Sequence, residues 1–148
     1  MNTVKVLKEN SLFKGVDERV INVLANMSEA VSVPAETVIF AEGMQSDALF
    51  IIASGKVDVL KDSQDKQETV IGELSRGDVL GLLSLVKGGS RAVTVKSKEP
   101  VELITITQES FDKLVKNNIH AAYQVLFSMT QYIADLLGSP EGVKEMMP

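Results

Sequence analysis

The 148-residue chain predicts a mainly β domain with flanking helices, of the antiparallel sandwich, jelly-roll or β-roll kind. Three observations carry this. Residues 31–107 hold short apolar and β-branched runs separated by Gly, Pro, Asp and Ser signals. The segment before them has helical periodicity. The segment after them ends in a long apolar helix pattern.

Residues 1–30 read as helical. Asp17 is suited to an N-cap, with Val20, Leu24 and Met27 following at i, i+4 and i+7. Leu12 and Phe13 lie just ahead, placed to anchor the segment to a core. Strands are predicted at 31–33, 37–40, 49–53, 56–60, 69–74, 91–97 and 101–107, and the polar stretch 62–68 as an exposed hairpin tip. Residues 108–138 return to helix: a short one from Thr107 or Gln108 to Lys116, then a longer one over 119–137 with Gly138 as C-cap. In the long helix Ile119, Ala122, Leu126, Met129, Ile133 and Leu136 form an a/d seam. Tyr123, Phe127, Thr130, Ala134 and Leu137 form a second stripe. One apolar stripe suffices for a helix packed only on its own domain. Two stripes fit one face on the β segment and one on a twin helix in a homodimer. A helix buried on two sides of one domain is the alternative. Residues 139–148 form a short tail, in which Ser139-Pro140 either caps a last turn or precedes a disordered end. All of this belongs to one domain.

Residues 81–95, GLLSLVKGGSRAVTV, hold the candidate site. Arg91 is in period-2 phase with Val93 and Val95, so on a strand it shares their buried face. An unpaired buried charge is costly, so an inward guanidinium asks for an anion. Residues 82–86 suit a short helical turn whose free N–H groups point to the same place. Arginine with a helix N-terminus is a phosphate seat. The competing explanation for Arg91 is a structural salt bridge to Glu73 or Asp78.

Composition removes other classes. With a net charge of -5 and no concentrated basic patch, the chain is not expected to bind nucleic acid. With no cysteine and one histidine, thiolate sites and cupin-type metal centres fail on counting. His120 reads as solvent-facing near a helix N-terminus. The N-terminus lacks a signal-type apolar region and no apolar run reaches membrane length. No membrane association is expected, and the absence of cysteine fits the cytoplasm. No nucleotide-triphosphate loop motif occurs. No cofactor is expected.

The order helices, glycine-punctuated strands, long apolar helix runs from about residue 12 to 137. Gly43 and Gly55 bracket a strand-turn-strand run, and Gly77-Asp78 leads to Gly81. Gly81-Leu82-Leu83-Ser84-Leu85, five residues, then Arg91-Ala92-Val93-Thr94-Val95 follows the pattern G-E-L-A-L, a variable spacer, R-A-A-T-V. In these features the chain resembles the cyclic nucleotide-binding domain family, which includes the catabolite activator protein and protein kinase A regulatory subunits. The resemblance implies a β-roll with N-terminal helices and a long C-terminal helix. It also implies a phosphate-binding cassette opened by Gly81, with Arg91 on the cyclic phosphate of cAMP or cGMP. Backbone N–H groups around Leu83, Ser84 and Ala92 assist, and the Ser84 and Ser90 hydroxyls add donors.

The chain departs from the family at four places. Leu82 replaces the glutamate that accepts the ribose 2′-hydroxyl. Losing a hydrogen bond to a charged group, worth roughly 1.5–3 kcal/mol, weakens such a ligand about 10- to 150-fold. Ser90 replaces a proline, Glu36 stands where a turn glycine is common, and Leu136 and Leu137 stand where polar groups cover the base. The expected function is a non-enzymatic sensor module, homodimeric through 119–137. Two alternatives stay open. One is a pocket that lost its ligand and serves as an interaction or dimerisation scaffold for a separate effector protein. The other is a sensor for a different anionic, more apolar molecule. Only about ten residues follow Gly138, so the chain alone is not expected to carry a recognition helix.

Overall fold

A computed structural model describes residues 1–65, 67–139 and 141 of the chain. Helix α1 (Thr3–Glu9) is capped by Asn2, whose side chain accepts from the Lys5 N–H. A 3₁₀ turn (Ser11–Phe13) follows, capped by Asn10, and helix α2 (Glu18–Met27) starts at Asp17, whose carboxylate accepts from the Val20 N–H. A hydrogen bond from Gln124, then that N–H, hold the Asp17 carboxyl below the ordinary carboxylate range.

The strands among the described residues are β1 (Glu29–Val33), β2 (Val38–Phe40), β3 (Ala48–Ser54), β4 (Val57–Asp62), β5 (Glu68–Leu74), β6 (Val79–Leu80), β7 (Thr94–Ser97) and β8 (Val101–Thr107). They pair antiparallel in two sheets ordered β1-β8-β3-β6 and β2-β7-β4-β5. A 3₁₀ turn (Leu82–Leu85) separates β6 from β7, and α3 (Gln108–Asn117) and α4 (Ile119–Leu137) close the chain's described part. The architecture is the antiparallel β-roll with N-terminal helices and a long C-terminal helix.

Strand alternation divides the core in two. On β3 and β8, Leu49, Ile51, Ile104 and Ile106 face the helices and pack with Leu12, Phe13, Ile21, Leu24, Phe111, Val125 and Met129. Their neighbours Ile52, Val101 and Leu103 face the other way, into the roll, with Phe40, Val57, Val59, Leu80, Val93 and Val95. Both faces of this sheet are therefore covered, which explains why 49–52 reads as a continuous apolar run. Each buried aliphatic side chain contributes roughly 1.5–3 kcal/mol.

Several expected boundaries move. The strand expected at 91–97 begins only at Thr94. Residues 89–91 are instead zipped to the 43–46 loop: Ser46 N–H donates to Gly89 O (2.6 Å), Arg91 N–H to Met44 O (2.7 Å) and Gly43 N–H to Arg91 O (2.9 Å). Strand β6, two residues on Phe50 and Ile51, is too short to show a period. Glu29 and Ala30, expected in helix, start β1, because Ser28 ends α2. Gly138 is the C-cap of α4 but at φ -75°, an ordinary right-handed value. Ile119, placed in the a/d seam with the buried Ala122 and Met129, is exposed, at 67%. The expectation for Ser139-Pro140 and the tail falls mostly outside the described residues.

Glu36 has φ +60°, in a turn fixed by its own N–H to Ser97 O (2.9 Å) and by the Ser97 hydroxyl on Pro34 O (2.6 Å). A left-handed non-glycine residue costs roughly 1–2 kcal/mol, partly offset by the extra entropy glycine loses on folding. Its exposed ion pair with Lys96 (3.4 Å) contributes little. Glu36→Gly is expected to raise stability by about 0.5–1 kcal/mol, read as a higher urea midpoint at unchanged slope. A lower midpoint would show that the turn carries no strain.

Candidate functional site

Every residue singled out in the cassette lines one cavity of about 270 Å³: Gly81, Leu82, Leu83, Ser84, Ser90, Arg91 and Ala92. Gly81 supplies the turn that starts it. Its φ is +68°, and a Cβ there would overlap Arg91 Nη1 and stand 2.8 Å from Ala48 O. Only glycine lets the guanidinium approach the backbone this closely. The 3₁₀ turn that follows buries Leu82, Ser84 and Leu85. The Ser84 N–H, expected to be free for a ligand, donates to Gly81 O (3.0 Å). The serine's contribution to the site is therefore its hydroxyl.

Arg91 is 6% exposed. Its Nη2 donates to Ala48 O (2.9 Å) and its Nη1 to Ser84 Oγ (3.3 Å). The guanidinium carbon lies 4.3 Å from the Phe40 ring centroid and 5.5 Å from that of Phe50. Nε is buried with no hydrogen-bond partner among the described residues. Among the described residues no carboxylate forms an ion pair with it. Glu73 pairs with Lys98 (2.9 Å), and Asp78 accepts from the Ser75 N–H (2.8 Å), so neither carboxylate proposed as a salt-bridge partner fills that role. Burial lowers the Arg91 pKa below its ordinary value, with the charge of Asp47 opposing. Two neutral acceptors and two ring faces, the latter worth about 0.5–2 kcal/mol each, only partly replace the hydration lost.

The sequence left several contributors unmarked. Phe40 comes from β2, Ser46 from the loop before β3, and Lys87, Gly88 and Gly89 from the spacer ahead of Arg91. Ser46 Oγ hydrogen-bonds Ser84 Oγ, joining the loop to the turn. From β4, Lys61 reaches the Ala92 carbonyl (2.8 Å) and Glu42 (2.8 Å), fixing the backbone next to Arg91. Leu82 is buried in the cavity wall, so no carboxylate stands at that position. Neither Leu136 nor Leu137 lines the cavity. His120 is exposed, beside Gln124 at 3.2 Å. Among the described residues no group of three or more His, Asp or Glu side chains is placed to hold a metal. No helix there is long and apolar enough to cross a membrane.

An antiparallel roll whose glycine-led turn holds a buried arginine at a small cavity defines a class of ligand-binding module. The cyclic nucleotide-binding domain pattern matches residues 30–118, more than half of the chain, and the chain belongs to that family. It is 25% identical over 122 residues to a CRP-like cAMP-activated global transcriptional regulator of Mycobacterium tuberculosis, covering 82% of this chain and 54% of that protein. It is 28% identical over 112 residues to a lysophospholipase nte1 of Aspergillus oryzae, covering 76% of this chain and 7% of that protein. The chain thus spans about half the length of the bacterial relative and a small part of the fungal one. The fold matches the N-terminal domain of a transcriptional regulator from Streptomyces coelicolor with TM-score 0.78 at 23% identity, over 88% of this chain and 93% of that one. It matches a cyclic nucleotide-binding domain from Methylobacillus flagellatus with TM-score 0.79 at 20% identity, over 99% and 81%.

Gly81→Ala tests the geometry directly. The added methyl has to displace the guanidinium while holding a left-handed φ, so a loss of about 1–3 kcal/mol is expected in urea unfolding. An unchanged midpoint would mean that Arg91 is not packed against this turn.

Proposed function

We propose that the chain is a non-enzymatic regulatory module whose cavity takes an anionic ligand, in the first instance a cyclic nucleotide, cAMP or cGMP, through its phosphate. The observation that carries this is the buried guanidinium of Arg91, without an ion-pair partner among the described residues, in the wall of the cavity. A phosphate oxygen there completes a charge-assisted hydrogen bond that the free protein lacks. The hydroxyls of Ser84 and Ser90 lie on the same cavity. Leu82 offers nothing to a sugar hydroxyl, so a ribose is held more weakly, and a different anion with a more apolar body is the second reading. The pocket as a mere interaction scaffold is the reading that loses ground, since a relict cavity has no need to keep a desolvated cation.

The output is a population shift. A ligand on Arg91 favours one position of the cassette and of α4, by no more than its difference in affinity for the two states. The outward stripe of α4 supports a homodimer: Tyr123 is 61% exposed, Phe127 51% and Leu137 60%, with the Tyr123 and Phe127 rings stacked at 5.9 Å. A contiguous apolar stripe on a surface helix marks an interaction surface, and a twin helix covers it symmetrically.

Calorimetric titration with cAMP and cGMP is expected to give binding that Arg91→Ala abolishes and that Leu82→Glu strengthens about 10- to 150-fold. Full affinity in Arg91→Ala would remove the assignment, and no change in Leu82→Glu would remove the sugar argument. For assembly, sedimentation equilibrium is expected to show a dimer that Phe127→Glu dissociates while the fold persists. A wild-type monomer at high micromolar concentration would refute it.

A further inference from the structure

Strands β4 and β7 pair from Val57 opposite Ser97 to Leu60 opposite Thr94, where β7 begins. The next residue of β4 is Lys61, and its side chain takes over where the backbone ladder stops. Its Nζ donates to Ala92 O (2.8 Å) and lies 2.8 Å from Glu42 Oε1. An ammonium group has three donors, so one group serves both oxygens. Glu42 is tied to the same segment a second time, its N–H donating to Thr94 Oγ1 (2.9 Å). On the other side of Ala92, the Arg91 N–H donates to Met44 O (2.7 Å) and Arg91 O accepts from the Gly43 N–H (2.9 Å). The peptide planes before and after Ala92 are thus both fixed, one through Arg91 O and one through Ala92 O. The Ala92 N–H itself donates to no described residue. Ala92 lines the cavity, whereas Lys61 does not.

We infer that Lys61 is a positioning residue for the ligand. From outside the cavity, and through Ala92, it fixes the backbone that presents the free Ala92 N–H and the Arg91 side chain to an anion. This deepens the reading of Arg91 as a phosphate seat and rests on it. A hydrogen bond weakens steeply once its angle falls below about 120°. A peptide left free to turn therefore loses the contact while keeping the donor. The Lys61 and Glu42 side chains are 51% and 26% exposed, and a pair so exposed adds little to the folding equilibrium. The effect of the clamp falls on affinity instead.

Calorimetric titration with cAMP as the probe, run beside urea unfolding, separates the outcomes. Lys61→Met keeps the aliphatic stem and removes the charge and its donors. It is expected to weaken cAMP about three- to tenfold, the worth of one hydrogen bond, at an unchanged urea midpoint. Lys61→Arg keeps a cationic donor and is expected to recover most of the affinity. Glu42→Gln is expected to give a smaller loss. The double variant with Lys61→Met should lose no more than Lys61→Met alone, since both act through one contact. Unchanged affinity in Lys61→Met, or affinity and midpoint falling together without recovery in Lys61→Arg, overturns the positioning role and leaves the Arg91 seat standing. The native protein gives a reading that needs no variant to fold: the Ala92 amide is expected to shift when cAMP is added. Shifts at Gly81 and Arg91 that leave Ala92 unmoved overturn the role of Lys61 alone. No binding of cAMP by the native protein overturns the nucleotide reading and the role of Lys61 with it.

Discussion

A guanidinium held inside the domain with no ion pair among the described residues is the constraint around which this domain is arranged. Taking such a charge out of water costs several kcal/mol before any compensation. The chain offsets this with a carbonyl from β3, a hydroxyl from the cassette turn and the faces of Phe40 and Phe50. Each contributor comes from a different part of the sequence, so the roll has to be closed before the charge is accommodated. Gly81 is fixed by the same requirement, as any side chain there would occupy the space of the guanidinium. The cation is thereby positioned without an ion-pair partner among the described residues, in the wall of the cavity.

The surrounding loops hold the guanidinium there. The zipper between 43–46 and 89–91 prevents Arg91 from continuing β7 as regular strand, and Lys61 restrains the next carbonyl. A flexible arginine would rotate outward to water, as long cationic side chains usually do. Here the backbone on both sides is tied, so the side chain stays inward. Its hydrogen-bond partners are a carbonyl and a hydroxyl, with no ion pair among the described residues.

How much of this the sequence disclosed follows from distance along the chain. The cassette is contiguous, so Gly81 through Ala92 could be named from one stretch, and all the named residues do line one cavity. Arg91, Val93 and Val95 are all buried, as their phase required, although regular strand begins only at Thr94. Phe40 and Ser46 stayed hidden because their closeness to Arg91 is created by the pairing of β2 with β7 and by the contact between the 43–46 and 89–91 loops, which no local pattern encodes. Lys87 lay in full view but in the variable spacer, where no periodicity assigns a side to it. The helices were legible where a stripe was long: α4 runs over the expected 119–137. Helix α1 was not distinguished, since it buries only Leu7 and is capped by Asn2. Ile119 was grouped with Ala122 and Met129 by spacing, yet it is exposed while Ala121 and Ala122, on the same first turn, carry the buried face.

Ser128, a small polar residue in the middle of α4, is almost fully buried and easily passed over. Its hydroxyl donates to Leu12 O (2.8 Å) and accepts from the Gly15 N–H (3.3 Å), while Gln124, one turn earlier, exchanges two hydrogen bonds with Asp17 (3.0 and 2.8 Å). The last helix is thus stapled to the segment between the first two, across more than a hundred residues of sequence. Moving α4 therefore means either carrying the 12–17 segment with it or breaking these four bonds, so the two ends of the described chain are tied to each other independently of the sheets.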